Sequence, residues 1–569
     1  MRQRILFISL IVVAGILTYL CASLAGFLSI DDVGMIKFIS SQSFALKDLV
    51  GASVYFRPLI VISYAANATF FGLDPVSFHV VNIAIHIANS LLVYWLALVL
   101  LAPRGDREWV ALFAGLFFLV TPLNSEAVIW ISARPDLLCT FFFLLALVLL
   151  VKQREKASPS ALFCFALAYL ASLSCKEASI ALFGIAPLFL LLSARRGQLK
   201  HAVLFTLAVC ATTGAYALLR SGWHFTVDAG IKSVVQGVMS KSEVVKTVVQ
   251  QGVLEKSDAY PSLLDGLGAY GFYLKKLVFP FPLNFTILGY DRPTAFAALA
   301  LALICSFYLL RRYEQALLPL LIVFLGIIPP LLAYLGRIPW TPFGERYLYL
   351  PMVGFALLVA LVLAELRRVP RVLLVACLLL LAIPTMSRVS LWCDTTAFWN
   401  DALRKTPGFA KSYSALGVAA LAEQRYADAE RSFKMAQSLG FNETVIWQNL
   451  ARVYAARKEY DNYEITMVKA ASLSQHPTGI YHELIQTLMG AKRGDRSAIY
   501  AKVIKYHLLA LSKDPGYVEA HYNVGKLYYA AGDLRNAERY LRLYADGDKN
   551  GYFRPFALKM IKKIAADRG

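Results

Sequence analysis

Two adjacent carboxylates follow the first apolar stretch of the chain, in the segment "FLSIDDVGMI". Neighbouring carboxylates raise each other's pKa, so one can hold a proton while the other accepts one. Asp31 and Asp32 therefore form a candidate general base at the end of a membrane helix. A solvated helix end would also explain the pair, and these residues alone leave both interpretations open.

Charged residues also occur in four later segments, "YFRPL", "TPLNSEAVIWISARPDLL", "SLSCKEASI" and "PWTPFGERYLYLP". Any one of them could form a salt bridge or a charged helix end that reaches the membrane surface. Together they predict a site in which acids transfer protons while arginine and lysine bind an anion. The charged residues of these segments are Arg57, Glu126, Arg134, Asp136, Lys176, Glu177, Glu345 and Arg346.

A polar stripe runs along the second apolar stretch. His79, Asn82, His86 and Asn89 recur at intervals of three and four residues, so they share one face of a helix. Polar side chains within an apolar helix face protein or a water-filled cavity. His79 and His86 are therefore candidate ligand contacts, and an ordinary hydrogen bond between helices is the alternative for each.

The composition that must position these residues is that of a polytopic membrane protein. Of 569 residues, 58% are hydrophobic and 17% are charged, and the mean hydropathy is +0.56. The first apolar run follows Arg2 and Arg4 and is longer than the roughly 7 to 15 apolar residues of a signal peptide, so we expect a retained helix. About eleven spans are predicted, near residues 5–28, 78–102, 109–127, 137–151, 160–174, 178–193, 201–219, 294–310, 316–335, 351–366 and 371–388.

Basic loops set the expected orientation. "PRGDREW", "KQREK", "ARRGQLK", "RRYEQ" and "ELRRVPR" alternate with less basic loops, which predicts a cytoplasmic N-terminus and places the charged segments above on the opposite side. This distribution explains much of the net charge of +20 without a nucleic-acid partner. The eight cysteines include no CxxC pair and predict neither a disulfide framework nor a zinc site.

Two outer segments, residues 29–77 and 221–293, are predicted between spans. The second contains "VVQGVMSKSEVVKTVVQQGV", an amphipathic candidate lid. It also contains residues 266–285, whose Lys275 and Lys276 would lie near the bilayer centre if this stretch crossed the membrane. We therefore expect residues 266–285 to lie at, or dip into, the outer interface.

The predicted domains are a membrane domain over residues 1–390 and a repeat domain over residues 391–569. The second domain carries about four tetratricopeptide (TPR) repeats, with the first two in phase at an interval of 34 residues. Stacked repeats form a solenoid whose concave face commonly holds a peptide or a helix. The alternative is that these helices only cap or dimerise the membrane domain. The repeats are predicted to begin at residues 410, 444, 478 and 518.

The ordered motifs "DD", "FRPL", "FHxxNxxxHxxxS", "PxxxEAVxWxSxRxDLL", "SxxCKE" and "GERYLYLP", followed by TPR repeats, resemble the transmembrane and TPR repeat-containing O-mannosyltransferases and their bacterial relatives. The resemblance implies an all-α GT-C fold. It also implies transfer of a sugar from a polyprenyl phosphate to an acceptor hydroxyl, with inversion. Relatives usually carry histidine where this chain has Thr121, so that role is either absent or has moved, and His79 and His86 are the candidates for it.

The resemblance also implies roles for the candidate residues. Asp31 or Asp32 would be the base, and the other acids would orient cations or bind sugar hydroxyls. The pool for donor phosphate binding is Arg57, Arg134, Lys176 and Arg346, with His79 and His86 as further contacts. A divalent metal, magnesium or manganese, would suit the aspartate pair, but a metal-independent reaction is the default expectation.

The expected partners are a lipid-linked sugar as the donor, membrane lipids and an acceptor protein presented by the repeats, with a mannose-like or other monosaccharide transferred. Short loops favour a bacterial inner membrane, with the repeats periplasmic or extracellular. The alternatives are a lipid or polysaccharide acceptor, a transporter, or a non-enzymatic membrane scaffold. A transporter should carry charge near the bilayer midplane, whereas a scaffold needs only one span.

Overall fold

The structure is a computed structural model of the chain. Its contacts divide the chain into two units, residues 1–409 and residues 410–569. Apart from one isolated bridge between Ile287 and Phe343, the regular structure of the described residues is helical, which confirms the all-α prediction. The described residues are 2–28, 31–41, 56–101, 106–153, 158–193, 198–220, 261–336, 341–365, 370–474, 476–490, 496–549 and 551–568.

Within its described residues, the first unit contains the predicted membrane spans and four further helices outside them. Its helices are α1 (Arg2–Tyr19), α2 (Asp32–Ser41), α3 (Pro58–Phe71), α4 (Pro75–Leu100), α5 (Arg107–Val120), α6 (Ser125–Ile129), α7 (Arg134–Gln153), α8 (Pro159–Leu173), α9 (Ala181–Ser193), α10 (Leu199–Arg220), α11 (Leu263–Val278), α12 (Arg292–Arg312), α13 (Leu317–Gly326), α14 (Ile328–Leu335), α15 (Tyr349–Glu365), α16 (Arg371–Cys393) and α17 (Thr395–Lys405).

The described residues contain eight helical segments long and apolar enough to cross a membrane, and the chain is a multi-pass membrane protein. A ninth span results if α5 and the following Pro122–Ile129 segment are counted together, since a 46° bend separates them. The other two predicted spans are the shorter apolar helices Pro159–Leu173 and Glu177–Ser193. All eleven predicted segments are therefore helical, whereas α3 lies in a segment predicted as a loop.

The central spans pack closely, because the glycines at their crossings have no side chain to hold the helices apart. A Cβ on Gly354 of α15 would lie 2.4 Å from the Pro319 carbonyl oxygen, so any larger residue would push α13 away. The span Glu345–Glu365 is 72% buried, whereas Arg292–Arg312 is 6% buried. The exposed apolar surface of α12 is therefore the surface available to lipid.

Short irregular segments break the helices at the positions of the predicted site residues. A 3-10 turn at Pro122–Asn124, helix α6 and a 3-10 turn at Ile131–Ala133 separate α5 from α7. Further 3-10 turns at Glu177–Ile180 and Glu345–Leu348 precede α9 and α15. These turns direct polar side chains toward one another, which continuous helices along the bilayer normal would not do.

Helix α11 occupies the first part of the predicted interfacial stretch, residues 266–285. Ser262 and Asp265 cap its N-terminus reciprocally. Gly271 brings α11 against α12, since a Cβ there would lie 2.0 Å from the Ala295 carbonyl oxygen. Its position at the membrane interface stays a prediction. The candidate lid within residues 221–260 lies outside the described residues.

In the part of the second unit that the structure describes, the helices form four pairs followed by a final helix. Gly417 and Gly525 lie where the two helices of a pair approach closely. A Cβ on Gly417 would lie 2.5 Å from the Phe433 ring. Residues 391–409, predicted as part of the repeat domain, belong to the first unit instead. The helices are α18 (Ala410–Ala422), α19 (Tyr426–Ser438), α20 (Thr444–Ala456), α21 (Tyr460–Leu473), α22 (Thr478–Gly490), α23 (Arg496–Lys513), α24 (Glu519–Ala530), α25 (Leu534–Gly547) and α26 (Arg554–Arg568).

Candidate active site

The two adjacent aspartates have different environments. Oδ2 of Asp32 accepts a hydrogen bond from the Leu28 N–H at 2.9 Å. Oδ1 accepts from the Ser132 N–H at 3.0 Å and from the Ser132 hydroxyl. Burial raises the pKa of Asp32 to about 6, although these hydrogen bonds favour the charged form. Asp32 is therefore fixed and buried, whereas the side chain of Asp31 is exposed.

Arg57 and Lys176 contact carboxylates from different elements. Nη2 of Arg57, which precedes α3, lies 2.7 Å from Oε2 of Glu177. Nζ of Lys176 lies 2.5 Å from Oδ1 of Asp136 in the first turn of α7. Burial lowers the pKa of Lys176, and the nearby Asp136 carboxylate opposes that effect. The two ion pairs are adjacent, because Lys176 and Glu177 are consecutive residues.

Arg346 forms a third ion pair, and the Tyr347 ring joins this pair to the Lys176 pair. Its Nη1 lies 2.6 Å from Oε1 of Glu126. The Arg346 guanidinium lies 4.6 Å from the ring centres of both Trp130 and Tyr347. Nζ of Lys176 lies 5.3 Å from the centre of the same Tyr347 ring. The Tyr347 ring thus has two cations over it, and it connects the Lys176 pair with the Arg346 pair.

The three cations are each paired with a carboxylate and are each partly exposed. Their side chains are 21%, 14% and 10% exposed for Arg57, Lys176 and Arg346, so each is held by a carboxylate but remains partly open to solvent. A phosphate could approach them without breaking the fold. We call Arg57, Lys176, Arg346 and Tyr347 the cation cluster.

Arg134 has a different role in the structure. Its Nε donates to the Asn82 side chain, its Nη1 to the backbone and hydroxyl of Ser63, and its Nη2 to Asn67 and the Phe78 carbonyl. These contacts use all five donors of the guanidinium. The side chain is fully buried, and no ion pair involves it within the described residues. Arg134 therefore holds α3 and α4 against the N-terminus of α7.

The two candidate histidines also lie within the helix packing. Nδ1 of His86 lies 2.7 Å from the Tyr349 hydroxyl and Nε2 lies 3.1 Å from the Leu119 carbonyl oxygen, which matches the alternative of a hydrogen bond between helices. Both ring nitrogens of His79 are buried and make no hydrogen bond within the described part of the chain. A phosphate contact for either histidine stays a prediction.

A second buried network was missed by the sequence analysis, except that Lys276 was noted as an unusual charge. Lys276 Nζ donates to Oε1 of Glu345 at 3.0 Å, and the Asn284 N–H donates to the same oxygen at 2.8 Å. Nη2 of Arg388 lies 3.7 Å from Oε2 of Glu345, and its Nη1 lies 3.6 Å from Asp401 of α17. Glu345 therefore binds cations from α11 and α16, and a contact between Glu345 and a sugar hydroxyl stays a prediction.

This network is coupled to the cation cluster through the backbone. The Glu345 N–H donates to Oε2 of Glu126 at 3.1 Å, and Glu126 binds Arg346 through its other oxygen. One turn of 3-10 helix thus carries both Glu345, which faces Lys276, and Arg346, which faces the cluster. A charge placed in an apolar stretch was the sequence signal for Lys276; Arg388 near the end of a span gave no comparable signal.

The aspartate pair provides oxygen ligands of the kind that magnesium or manganese prefers. Within the described ranges, no three His, Cys, Asp or Glu side chains are grouped so that they could hold a metal ion. Three donors already face the Asp32 carboxylate, so Asp31 would supply the first ligand. The expected metal-independent reaction stays a prediction, as does the alternative of a divalent metal at the aspartate pair.

The sequence matches no family model. It is 37% identical over 103 residues to the protein O-mannosyl-transferase TMTC2 of Homo sapiens, covering 18% of this chain and 12% of that protein. It is 33% identical over 151 residues to TMTC4 of Homo sapiens, covering 24% and 20%, and 32% identical over 130 residues to Tmtc1 of Drosophila melanogaster, covering 23% and 15%. The chain thus matches a fifth or less of the length of these three relatives.

Two solved structures give weaker likenesses. ArnT from Cupriavidus metallidurans, solved bound to undecaprenyl phosphate, is 15% identical over 83% of this chain and 80% of its own, with a TM-score of 0.38. The TPR protein YrrB, described as having an unusual peptide-binding site, is 19% identical over 32% of this chain and 87% of its own, with a TM-score of 0.22. The relatives matched in sequence confirm the resemblance predicted from the motifs: over these segments the chain is similar to protein O-mannosyl-transferases.

Proposed function

We propose that this protein is a membrane glycosyltransferase that uses a polyprenyl-phosphate sugar as the donor and transfers the sugar to a hydroxyl of an acceptor protein, with inversion. The observation that carries the proposal is the cation cluster, whose three cations are each held by a carboxylate. The three cations come from three different parts of the chain. Lys176 and Arg346 lie over the Tyr347 ring, and Arg57 pairs with Glu177, the residue after Lys176. This arrangement suits a phosphate that gains negative charge as the sugar leaves.

Asp31 is the proposed base. A base has to reach the proton of the acceptor hydroxyl, and the exposed Asp31 side chain meets that requirement. Asp32 is 1% exposed and its oxygens already accept three hydrogen bonds, so we assign it to positioning the turn that carries Asp31. Its raised pKa follows from burial and does not require a proton transfer to the acceptor.

Arg57, Lys176 and Arg346 are the proposed phosphate ligands. Glu177, Asp136 and Glu126 would orient them, since each holds one of these cations within ion-pair distance. Arg134 is left out of the phosphate site, because its donors are all directed to protein acceptors. The sugar, the acceptor protein, its presentation by the repeats and the non-cytoplasmic, bacterial location belong to the same proposal.

The test supplies purified full-length protein with a panel of radiolabelled polyprenyl-phosphate sugars and membrane extract as the acceptor source. Release of free polyprenyl phosphate together with labelled protein supports the proposal. The Asp31→Asn and Arg346→Lys variants are expected to lose transfer activity. Lys469→Gln, which changes an exposed lysine of the repeat unit, is the control and should keep it. Label that enters only lipid or polysaccharide would support the alternative acceptors. If no donor in the panel is consumed, the glycosyltransferase proposal fails.

A further inference from the structure

The last part of the repeat unit carries an unusual surface. Residues 551–563, "GYFRPFALKMIKK", contain four basic residues, three aromatic residues and no acidic residue. We call them the basic-aromatic segment. They form the turn before α26 and most of that helix. This composition departs from the rest of the solenoid, where acidic and basic side chains pair repeatedly along the helices.

The orientation of the segment follows from its buried face. Ala557, Ile561 and Ile564, spaced at one helical face, pack into an apolar cluster with Leu541 and Tyr544. The opposite face therefore points away from the solenoid.

The outward face carries both kinds of side chain. Tyr552 is 79% exposed and Phe556 is 51% exposed, and their ring centres lie 6.3 Å apart. Lys559 and Lys562 are exposed one and two turns further along the same helix. Exposed aromatic rings next to lysines are not accounted for by packing within the solenoid.

We propose that the basic-aromatic segment binds the surface of an anionic lipid bilayer. Aromatic side chains favour the boundary between headgroups and acyl chains, and lysines are attracted to anionic headgroups. Aromatic and basic side chains exposed together supply the two kinds of contact that hold a protein surface at a membrane interface. The charge complementarity favours lipid over a neutral protein partner.

The covalent connection to the membrane unit strengthens the inference. Because the apolar helices found among the described residues hold the same chain in a bilayer, the repeat unit always experiences a high effective concentration of lipid. Contacts too weak to bind a free protein to vesicles are then sufficient. Bound in this way, the solenoid would be restrained beside the bilayer rather than moving freely around its connection. This proposal does not depend on any enzymatic activity.

The experiment places a photoreactive benzoylphenylalanine at Phe556 of the full chain in nanodiscs. One set of nanodiscs contains only phosphatidylcholine, and the other also contains phosphatidylglycerol. The control carries the same group at Ile465, which is 66% exposed on α21 and lies among both acidic and basic side chains, namely Asp461, Glu464 and Lys502. Lipid adducts are measured by mass spectrometry of the crosslinked peptides. We expect at least about fivefold more lipid adducts at position 556 in anionic than in neutral nanodiscs.

Charge variants separate lipid binding from general exposure. Lys559→Gln with Lys562→Gln should lower the anionic-lipid adducts by roughly tenfold or more, since each lysine favours the bound state about fivefold. Lys469→Gln with Lys513→Gln removes two exposed lysines elsewhere on the unit and should leave the adducts unchanged. Equal lipid adducts at positions 556 and 465, adducts to protein instead of lipid, or no adducts at all would overturn the proposal.

Discussion

Ser132 donates two hydrogen bonds to one carboxylate oxygen of Asp32, a residue 100 positions earlier in the chain. Ser132 lies in the 3-10 turn that precedes α7, so the first outer segment is fixed to the start of a central span. The neighbouring Asp31 is thereby held at the same location with its side chain exposed. The position of the proposed base therefore depends on a residue that carries no charge.

Substitution of the exposed aspartate should remove activity without affecting folding. Asp31→Asn is expected to lower kcat by about 100-fold or more, because general base catalysis contributes 10²–10⁴-fold in typical enzymes. The Tm in detergent should stay within about 2 °C of the parent protein, since the side chain is exposed. The comparison with Asp32→Asn is decisive: an Asp32 variant that loses kcat while Asp31→Asn stays active would reverse the assignment.

The stability of the protein should depend on pH through Asp32. Its pKa is about 6 in the folded protein and about 3.8 when unfolded, so the folded state binds the proton more tightly. At low pH the Asp32 carboxyl is protonated, so no charge is buried. As the pH rises from about 4 to 7 the carboxyl ionises, and the free energy of unfolding falls. At neutral pH the buried charge costs about 3 kcal/mol.

The matching measurement compares thermal unfolding of the parent protein with that of Asp32→Asn, which cannot ionise. Because the other titrating groups are common to both proteins, the difference between their Tm values isolates Asp32. The parent should lose stability relative to the variant as pH increases from 4 to 7. A difference that does not change with pH would show that Asp32 keeps one protonation state over this range.

Conservative replacement in the cation cluster should weaken donor use. Arg346→Lys keeps the charge but loses the planar contacts with Trp130 and Tyr347 and one of the paired donors. We expect kcat/KM for the lipid-linked donor to fall by roughly 10- to 100-fold, corresponding to about 1.4–3 kcal/mol. The KM for the acceptor should stay within about twofold of the parent value. If the KM values for donor and acceptor rose equally, a specific role at the donor phosphate would be contradicted.

Arg134 should behave as a structural residue. Arg134→Lys offers three donors to acceptors that now receive five hydrogen bonds, and the unsatisfied acceptors are expected to lower the free energy of unfolding on the order of 3 kcal/mol. Thermal unfolding in detergent measures this change. For protein that remains folded, the donor KM should be unchanged. A stable variant with a much higher donor KM would instead favour the phosphate role predicted from the sequence.

The Lys276 and Glu345 pair should show strong coupling. Lys276→Met leaves a buried carboxylate with weaker partners and is expected to lower stability by about 3–5 kcal/mol. Adding Glu345→Gln removes that charge and should recover part of the loss. A double-mutant cycle measured by thermal unfolding gives the coupling energy, and additive effects would exclude the pair as a stabilising unit.

Sequence patterns identified the helical segments well, because long apolar runs strongly constrain a chain in a bilayer. The apolar runs also located the charged turns between spans, including those that carry Glu126 and Lys176. They did not identify helix α3, since its 14 residues are shorter than a span and lie in a segment with polar neighbours.

The partners of each charged residue were not predictable from the sequence. Which cation meets Glu345 depends on the packing of α11 and α16, which are far apart in the chain. Likewise, the pattern around Arg134 could not distinguish an anion ligand from a residue saturated by neutral acceptors, because those acceptors come from two other helices. The roles of individual site residues therefore required the three-dimensional arrangement.

Arg134 keeps a full positive charge that its neighbours solvate but do not neutralise. Amide, hydroxyl and carbonyl groups supply its contacts, so its field extends into the surrounding protein. A unit charge acting over 10 Å at an effective dielectric constant near 20 contributes about 1.7 kcal/mol. A group that never touches a ligand would thus raise the electrostatic potential of the neighbouring space and favour the arrival of anions there.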